Sequence, residues 1–177
     1  LLNAAEKSMG GLDTLLIAHG TLSNQESCEQ SVEETISEIQ TNALSTISLL
    51  TIVSNRFEAK KNGIIAIISS VAGERGRASN YVYGSAKAMV TTFASGLRQR
   101  LNKFNVQVTT FKLGFVDTPM TAKFKKGWLW AKPDVVAVKI VEAIDKRKDE
   151  VYIPGFWWVV MALIKMIPNK VFNKIKF

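Results

Sequence analysis

The fold is read from Ile64-Ile65-Ala66-Ile67-Ile68-Ser69-Ser70-Val71-Ala72-Gly73, a short apolar run that ends in two hydroxyls and then small residues. A short apolar run without polar alternation is typical of a strand that is buried on both faces of a parallel sheet. Open α/β sheets bind ligands at the carboxyl edge, where the side chains that follow such a strand lie. We therefore expect Ser69 and Ser70 to lie at a binding site.

Apolar strands alternate with helical segments along the chain, as they do in βαβ units. The predicted strands are residues 12–18, 64–68, 106–113 and 151–154, and the predicted helices are residues 31–57, residues from about 83 to 101, and residues 133–147. The chain has 177 residues, of which 47% are hydrophobic, and no repeat or linker interrupts it. Length and pattern predict one α/β domain over residues 1–177.

The segment Tyr83-Gly84-Ser85-Ala86-Lys87 places a phenol and an ammonium one helical turn apart on the same face. A nearby cation favours the phenolate, so the pairing predicts that the pKa of Tyr83 lies below its ordinary value of about 10. Pairs with this spacing are common on solvated helix faces. A catalytic role for the pair is favoured because the predicted strand that leads to Ser70 precedes it in the sequence.

Tyr83 follows Ser70 by 13 positions and Asn42 by 41 positions. In these spacings the chain resembles the short-chain dehydrogenase/reductase family, whose active site combines Asn, Ser, Tyr and Lys in this order. Alone, Ser70 is also compatible with a helix cap, and Asn42 with a buried amide satisfied by the backbone. Four residue types in register favour catalysis, and the resemblance implies a Rossmann-like, doubly wound parallel sheet.

The resemblance implies an NAD(P)-dependent oxidoreductase that interconverts a carbonyl and an alcohol by hydride transfer. Tyr83 would be the general acid/base, and Ser70 would hold the carbonyl oxygen. Lys87 would tune Tyr83 and hold the nicotinamide ribose, while Asn42 would anchor a water at a helix irregularity. The alternative is a non-catalytic family member that keeps the fold as a binding or scaffolding subunit, against which the intact Ser-Tyr-Lys set argues.

The segment Leu113-Gly114-Phe115-Val116-Asp117-Thr118 is similar to the Pro-Gly-x-Val-x-Thr segment under the nicotinamide, with Leu113 in place of Pro. Residues 17–20, Ile-Ala-His-Gly, stand where the family has Asn-Asn-Ala-Gly. The resemblance therefore implies NAD(H) or NADP(H) as cofactor, and no metal ligand is assigned. The expected cofactor contacts are His19, Gly20, Tyr83, Lys87, Gly114, Val116 and Thr118.

The Gly-rich turn that cradles the cofactor pyrophosphate in this family does not occur in the sequence. Residues 1–8 read as the end of a helix stopped by Gly10-Gly11. The strand of residues 12–18 lies in the middle of the family's sheet, so the chain alone would expose an apolar edge. We expect a preceding portion that carries the first strands and the Gly-rich turn.

The loop of residues 120–130 stands where the family has its substrate lid. Its cations and aromatic residues suit an amphipathic or anionic substrate; they are Lys123, Lys125, Lys126, Trp128 and Trp130. Residues 74–77, Glu-Arg-Gly-Arg, are either a solvated charged loop or an anion contact at the pocket mouth. The chain is also similar to the keto-reductase partner in bacterial decaprenylphosphoryl-ribose epimerisation, which implies a lipid-linked keto-sugar; a fatty or steroid-like ketone would suit an apolar lid as well.

The C-terminal segment, residues 156–177, consists of an apolar aromatic stretch, Pro168 and a basic end. The stretch is too short to span a bilayer, which takes about 20 apolar residues. It suits contact with a second subunit of a homodimer or homotetramer, or peripheral contact with an anionic membrane, for which the net charge of +8 also speaks. The charge does not form a nucleic-acid-binding stripe. A single cysteine, Cys28 in a polar loop, indicates the cytoplasm; a position at the inner membrane face is the alternative that goes with peripheral membrane contact.

Overall fold

A computed structural model describes residues 2–175 of the chain. The strands are β1 (Thr14–Ile17), β2 (Gly63–Ser70), β3 (Val106–Leu113), β4 (Phe115–Val116), β5 (Trp130–Ala131) and β6 (Glu150–Ile153). The helices are α1 (Leu2–Met9), α2 (Gln25–Gln30), α3 (Val32–Ile39), α4 (Ser45–Lys60), α5 (Tyr81–Leu101), α6 (Pro133–Asp145), α7 (Trp157–Met166) and α8 (Asn169–Phe172). A π-helical turn (Gln40–Leu44) joins α3 to α4, and 3₁₀ turns cover Val71–Glu74, Asn102–Phe104 and Pro119–Thr121.

Four strands form a parallel sheet in the order β1-β2-β3-β6, and β4 pairs with β5 in a separate two-stranded sheet. The strand β3 has the predicted bounds, and β2 runs one residue earlier and two residues later than predicted, so that Ser69 and Ser70 belong to it. The strand β1 is shorter than predicted and lies at the sheet edge, where Leu16 is 45% exposed. The carboxyl ends of β1, β2 and β3 meet at one edge.

Helices cover both faces of the sheet. Ile65 and Ile67 of β2 pack into a core with Phe57 of α4 and Val90 of α5, whereas Ala66, between them, belongs to a second core with α6. Successive side chains of a strand point to opposite faces, so the continuous apolar run of β2 supplies both cores. This arrangement confirms the predicted doubly wound α/β fold.

The predicted helix of residues 31–57 is interrupted rather than continuous. Ser31 caps its first helix, α3, since the Ser31 Oγ accepts a hydrogen bond from the Glu34 N–H at 3.1 Å. The π-helical turn then inserts around Asn42, and α4 continues to Lys60. Such turns are frequent at functional sites because they re-aim side chains within a helix.

The C-terminal helix α7 is held by the charged loop of residues 74–77. Glu74 pairs with Lys165 of α7 at 2.7 Å, and the Arg75 guanidinium donates to the Ile164 carbonyl and lies 3.7 Å from the centre of the Phe172 ring. Of the two alternatives for residues 74–77, the solvated loop does not describe Glu74 and Arg75, which are bound to α7. No helix within residues 2–175 has the length and apolarity needed to cross a bilayer.

The prediction that Cys28 lies in a polar loop is also wrong. The residue lies in α2 rather than in a loop, and its side chain is buried, with the thiol donating to Ser23 Oγ at 3.3 Å. The polar residues around it in the sequence lie on the exposed side of a short helix, which a reading of composition alone takes for a loop.

Candidate active site

A cavity of about 470 Å³ opens at the carboxyl edge of the sheet. Side chains from the ends of β1, β2 and β3, from the π-helical turn, and from α5, α6 and α7 line it. All of the site residues expected from the sequence lie on its wall, namely His19, Gly20, Asn42, Ser70, Tyr83, Lys87, Gly114, Val116 and Thr118. A volume of this size is typical of a small-molecule site.

Ser70 is the last residue of β2, and Tyr83 is in the first turn of α5. The Ser70 hydroxyl donates to the Leu113 carbonyl at 3.3 Å and accepts from the Ala72 N–H at 3.1 Å. Burial raises the pKa of Tyr83 to about 12, and a hydrogen bond with Ser70 opposes that rise. The expectation of a lowered Tyr83 pKa is thus wrong, because desolvation of the phenolate outweighs the hydrogen bond with Ser70, and the charge of Glu38 also raises the pKa.

Lys87 lies one turn further along α5 and is buried. Its Nζ is 5.7 Å from the centre of the Tyr83 ring and donates to the Ile68 carbonyl at 3.3 Å. Burial lowers the pKa of Lys87 to about 8, and the charge of Glu38 opposes that decrease. The group in this pair that titrates near neutral pH is therefore the lysine, not the tyrosine.

Glu38 is a site residue that the sequence analysis missed. Its buried carboxylate accepts from Asn42 Nδ2 at 2.7 Å, from Thr21 Oγ1 at 3.0 Å and from the Ser23 N–H at 3.3 Å. The signal was present, because a residue four positions before Asn42 shares its helix face. Glu38 thereby fixes Asn42 and places a negative charge near Lys87.

Gly20 and His19 follow β1. A Cβ on Gly20 would lie 2.6 Å from Asn42 Oδ1 and 3.4 Å from Lys87 Nζ, so only glycine lets the chain pass here. His19 is exposed, and its Nε2 lies 2.7 Å from Ser45 Oγ. The loop after β1 is therefore in contact with the polar side chains of the π-helical turn.

Gly114 separates β3 from β4 at the floor of the cavity. A Cβ at this position would overlap the indole of Trp157 in α7. The indole of Trp157 thus packs closely against the expected cofactor contact Gly114. The neighbouring positions Val116 and Thr118 line the cavity, and the Thr118 N–H is bonded to Thr121 Oγ1 at 3.2 Å.

The expected lid contributes its apolar residues to the cavity but not its cations. Met120, Thr121, Phe124 and Trp130 are on the cavity wall, whereas Lys123, Lys125, Lys126 and Trp128 are not. These four side chains are exposed, and Lys126 pairs with Asp117 at 2.5 Å. The lid lysines therefore do not line the cavity.

Comparison with known proteins places this geometry in context. The family model for short chain dehydrogenase matches residues 1–128. An uncharacterized oxidoreductase of Mycobacterium tuberculosis is 32% identical over 165 residues, which cover 93% of this chain and 66% of that protein. An uncharacterized oxidoreductase of Myxococcus xanthus is 29% identical over 174 residues, covering 97% of this chain and 68% of that protein. The chain thus spans about two thirds of the length of these relatives.

Solved structures share the fold. A short chain dehydrogenase from Burkholderia cenocepacia in complex with NADP superposes with a TM-score of 0.79 at 20% identity, covering 90% of this chain and 68% of that one. A short-chain dehydrogenase from Sphingobium yanoikuyae in complex with NADPH has a TM-score of 0.74 at 19% identity, covering 95% of this chain and 72% of that one. The parallel sheet and its covering helices are therefore Rossmann-like.

Proposed function

Since the chain belongs to the short-chain dehydrogenase family, we propose that it is the catalytic part of an NAD(P)-dependent oxidoreductase that interconverts a carbonyl and an alcohol. Residues 1–177 act as one domain in this reaction. The observation that carries the proposal is that Ser70, Tyr83 and Lys87 converge on one cavity at the carboxyl edge of the sheet.

The cavity residues fit a nicotinamide nucleotide. The Lys87 ammonium carries three donors, and its one hydrogen bond within residues 2–175 goes to the Ile68 carbonyl, which leaves donors for ribose hydroxyls. His19, Gly20, Val116 and Thr118 would complete the contacts, with Tyr83 and Gly114 beside them. When bound, the nicotinamide supplies or accepts the hydride, which no side chain of the chain can do.

The proton is handled by the side chains of α5. With a pKa raised to about 12, Tyr83 is protonated at neutral pH and can donate to the alkoxide that develops from a carbonyl. The Ser70 hydroxyl, which donates to the Leu113 carbonyl in this structure, would donate instead to the oxygen of the substrate carbonyl. Lys87, with a pKa of about 8, exchanges protons with water near neutral pH. Asn42 and Glu38, which are hydrogen-bonded to each other, fix the polar surroundings of Lys87.

The substrate in this proposal is amphipathic. Phe115, Phe124 and Trp130 supply apolar wall to the cavity, and the rings of Phe115 and Trp130 stack with centroids 5.1 Å apart. A lipid-linked keto-sugar fits a wall of this kind, and so does a fatty or steroid-like ketone. NADH and NADPH are both compatible with the residues of the cavity.

The test is carbonyl reduction by the full-length protein that contains this chain. Tyr83→Phe should abolish turnover because the proton donor is lost, while Tyr81→Phe, at a 42% exposed position two residues away, should keep it. Both variants should bind NADPH, which quenching of tryptophan fluorescence measures. Retained turnover in Tyr83→Phe would refute the assignment.

We also propose that the protein is cytoplasmic and assembles as a homodimer or homotetramer through the outer face of α7. Trp158, Leu163 and Met166 on this face are more than half exposed, at 61%, 61% and 78%. Peripheral membrane contact is the alternative for the same face. Leu163→Ser should shift the oligomeric state in analytical ultracentrifugation; a shift in liposome co-sedimentation instead would favour the membrane.

A further inference from the structure

We propose that Arg77, beside Asn80, binds a phosphate or carboxylate group of the carbonyl substrate. The inference rests on the proposed function and specifies its substrate class. Both residues lie in the loop between Ser70 and Tyr83, and their side chains line the same cavity as these two hydroxyls. A group held there would be bound to the same molecule whose carbonyl meets Tyr83.

Both side chains have unused hydrogen-bonding capacity. Arg77 Nε and Asn80 Oδ1 are buried, and neither has a hydrogen-bond partner within residues 2–175. The Arg77 N–H is a donor and suits the anion, whereas the Asn80 oxygen is an acceptor and suits a hydroxyl of the same substrate. Asn80 precedes α5, but its side chain does not cap the helix. An unpaired buried donor or acceptor costs about 1–3 kcal/mol, so such groups in a cavity wall are typical of a site that a ligand completes.

The other charges of the loop are already paired. Glu74 contacts Lys112 at 2.8 Å and Lys165 at 2.7 Å, and Arg75 is bound to α7. Arg77 is the cation of this loop that faces the cavity, where burial lowers the pKa of its guanidinium. A guanidinium remains charged under these conditions and presents a planar fork that suits phosphate and carboxylate oxygens.

The cavity as a whole favours an anion. Arg77 and Lys87 are on its wall, and among the described residues no aspartate or glutamate is. In a partly dry site, an unopposed cation attracts negative charge more strongly than it does at the surface. Since the lid lysines lie outside the cavity, Arg77 assumes the anion-binding role that the lid was expected to play. The apolar wall then receives the rest of the substrate.

The experiment compares matched substrates with the full-length protein and NADPH. The substrates are a long-chain keto-carboxylate, its methyl ester, and the keto-alkyl phosphate of the same length. We expect kcat/KM for an anionic compound to exceed that for the ester by about 10- to 100-fold, the range for one hydrogen-bonded charge. The compound with the larger ratio identifies whether phosphate or carboxylate is the natural group.

Arg77→Gln should remove this preference and leave kcat/KM for the ester within about twofold of its original value. Arg77→Lys should retain part of it. Lys125→Gln, which removes the same charge from the lid outside the cavity, should retain all of it. An unchanged preference in Arg77→Gln, an equal loss for acid and ester, or weakened NADPH binding in place of the lost preference would each overturn the proposal.

A binding measurement separates this proposal from the proposed function. Hexyl phosphate, hexanoate and hexanol are added to the protein with NADPH, and the melting temperature is recorded, since a ligand that binds the folded state raises it. We expect the anions, but not hexanol, to raise it, and Arg77→Gln to lose the rise. This result would support the anion site even if no ketone is reduced. Equal rises of the melting temperature in the wild type and in Arg77→Gln would overturn it.

Discussion

Replacing Lys87 by methionine should make the protein more stable while removing a group of the proposed active site. Lys87 is 4% exposed, and burial lowers its pKa from 10.5 to about 8. In the unfolded chain the same amine titrates near its ordinary value. The folded protein therefore holds this charge at a cost at neutral pH, and a methionine of similar length removes that cost.

The magnitude follows from the difference between the two pKa values. Roughly 2.5 units at about 1.36 kcal/mol each correspond to about 3 kcal/mol of destabilisation in the folded protein. The hydrogen bond from Lys87 to the Ile68 carbonyl returns about 1 kcal/mol. We thus expect Lys87→Met to raise the free energy of unfolding by about 2 kcal/mol at pH 7.

The pH dependence identifies the cause. Below pH 8 the cost is fully present, because the lysine is charged in both states. Between pH 8 and 10.5 the unfolded chain binds more protons than the folded one, so the stability of the wild type rises with pH in this window. Above both values the cost is gone. The advantage of Lys87→Met should therefore shrink as the pH rises from 8 to 10.5.

Urea unfolding of the full-length proteins at several pH values measures this difference. Lys125→Met, the same replacement at an exposed lid position, is the control and should show no such trend. Lys87→Met could prove no more stable than the wild type at pH 7, with the same dependence of stability on pH. The buried charge of Lys87 would then not destabilise the folded protein as proposed.

Three further outcomes are expected in the full-length protein. Glu38→Gln removes the charge that opposes the fall of the Lys87 pKa, so that pKa should drop below about 8; competitive acetylation of the lysines, read by mass spectrometry, measures it, and an unchanged value would contradict the coupling. Gly114→Ala puts a methyl group into the space of the Trp157 indole, which should cost about 1–3 kcal/mol in urea unfolding and shift the tryptophan emission to the red; an unaltered spectrum would show that the indole does not move. Burial raises the pKa of Glu74, but hydrogen bonds from two lysines and a tyrosine lower that pKa by more. The Glu74 carboxylate therefore stabilises the fold above its ordinary pKa of 4.5, and this stabilisation is lost as the pH falls through the lower pKa of the folded state. Glu74→Gln should thus flatten the dependence of the free energy of unfolding on acidic pH.

The sheet and the position of the site could be predicted because both depend on local pattern. Continuous apolar runs fixed β2 and β3 to within two residues. The carboxyl ends of parallel strands share one edge, which predicts a site at Ser70, and Ser70 lines the cavity. Helix spacing paired Tyr83 with Lys87, whereas Gly20, Asn42 and Gly114 came from the resemblance to the family; all of them line the same cavity.

The properties that depend on burial could not be predicted. A sequence shows that Tyr83 and Lys87 share a helix face, but not that both are withdrawn from water, and desolvation reverses the expected direction of the Tyr83 pKa. The same limit applies to charged loops. Arg77 and the lid residue Lys125 are both cations in loops, and the sequence does not distinguish their surroundings. Arg77 lines the cavity and Lys125 is exposed, because tertiary packing decides which way a loop faces.

The outer and inner faces of α7 must be tested separately, because the C-terminal segment is part of the site. From the sequence, residues 156–177 are expected to serve assembly or membrane contact, but Trp157 lies against Gly114 on the cavity wall, and Lys165 is bound to Glu74 in the loop that leads to Arg77. Deleting the segment would remove this wall together with any contact surface. A partner bound to the outer face would also act on a helix that touches the cavity directly, so substitutions confined to that face are the informative ones, and they should leave carbonyl reduction intact.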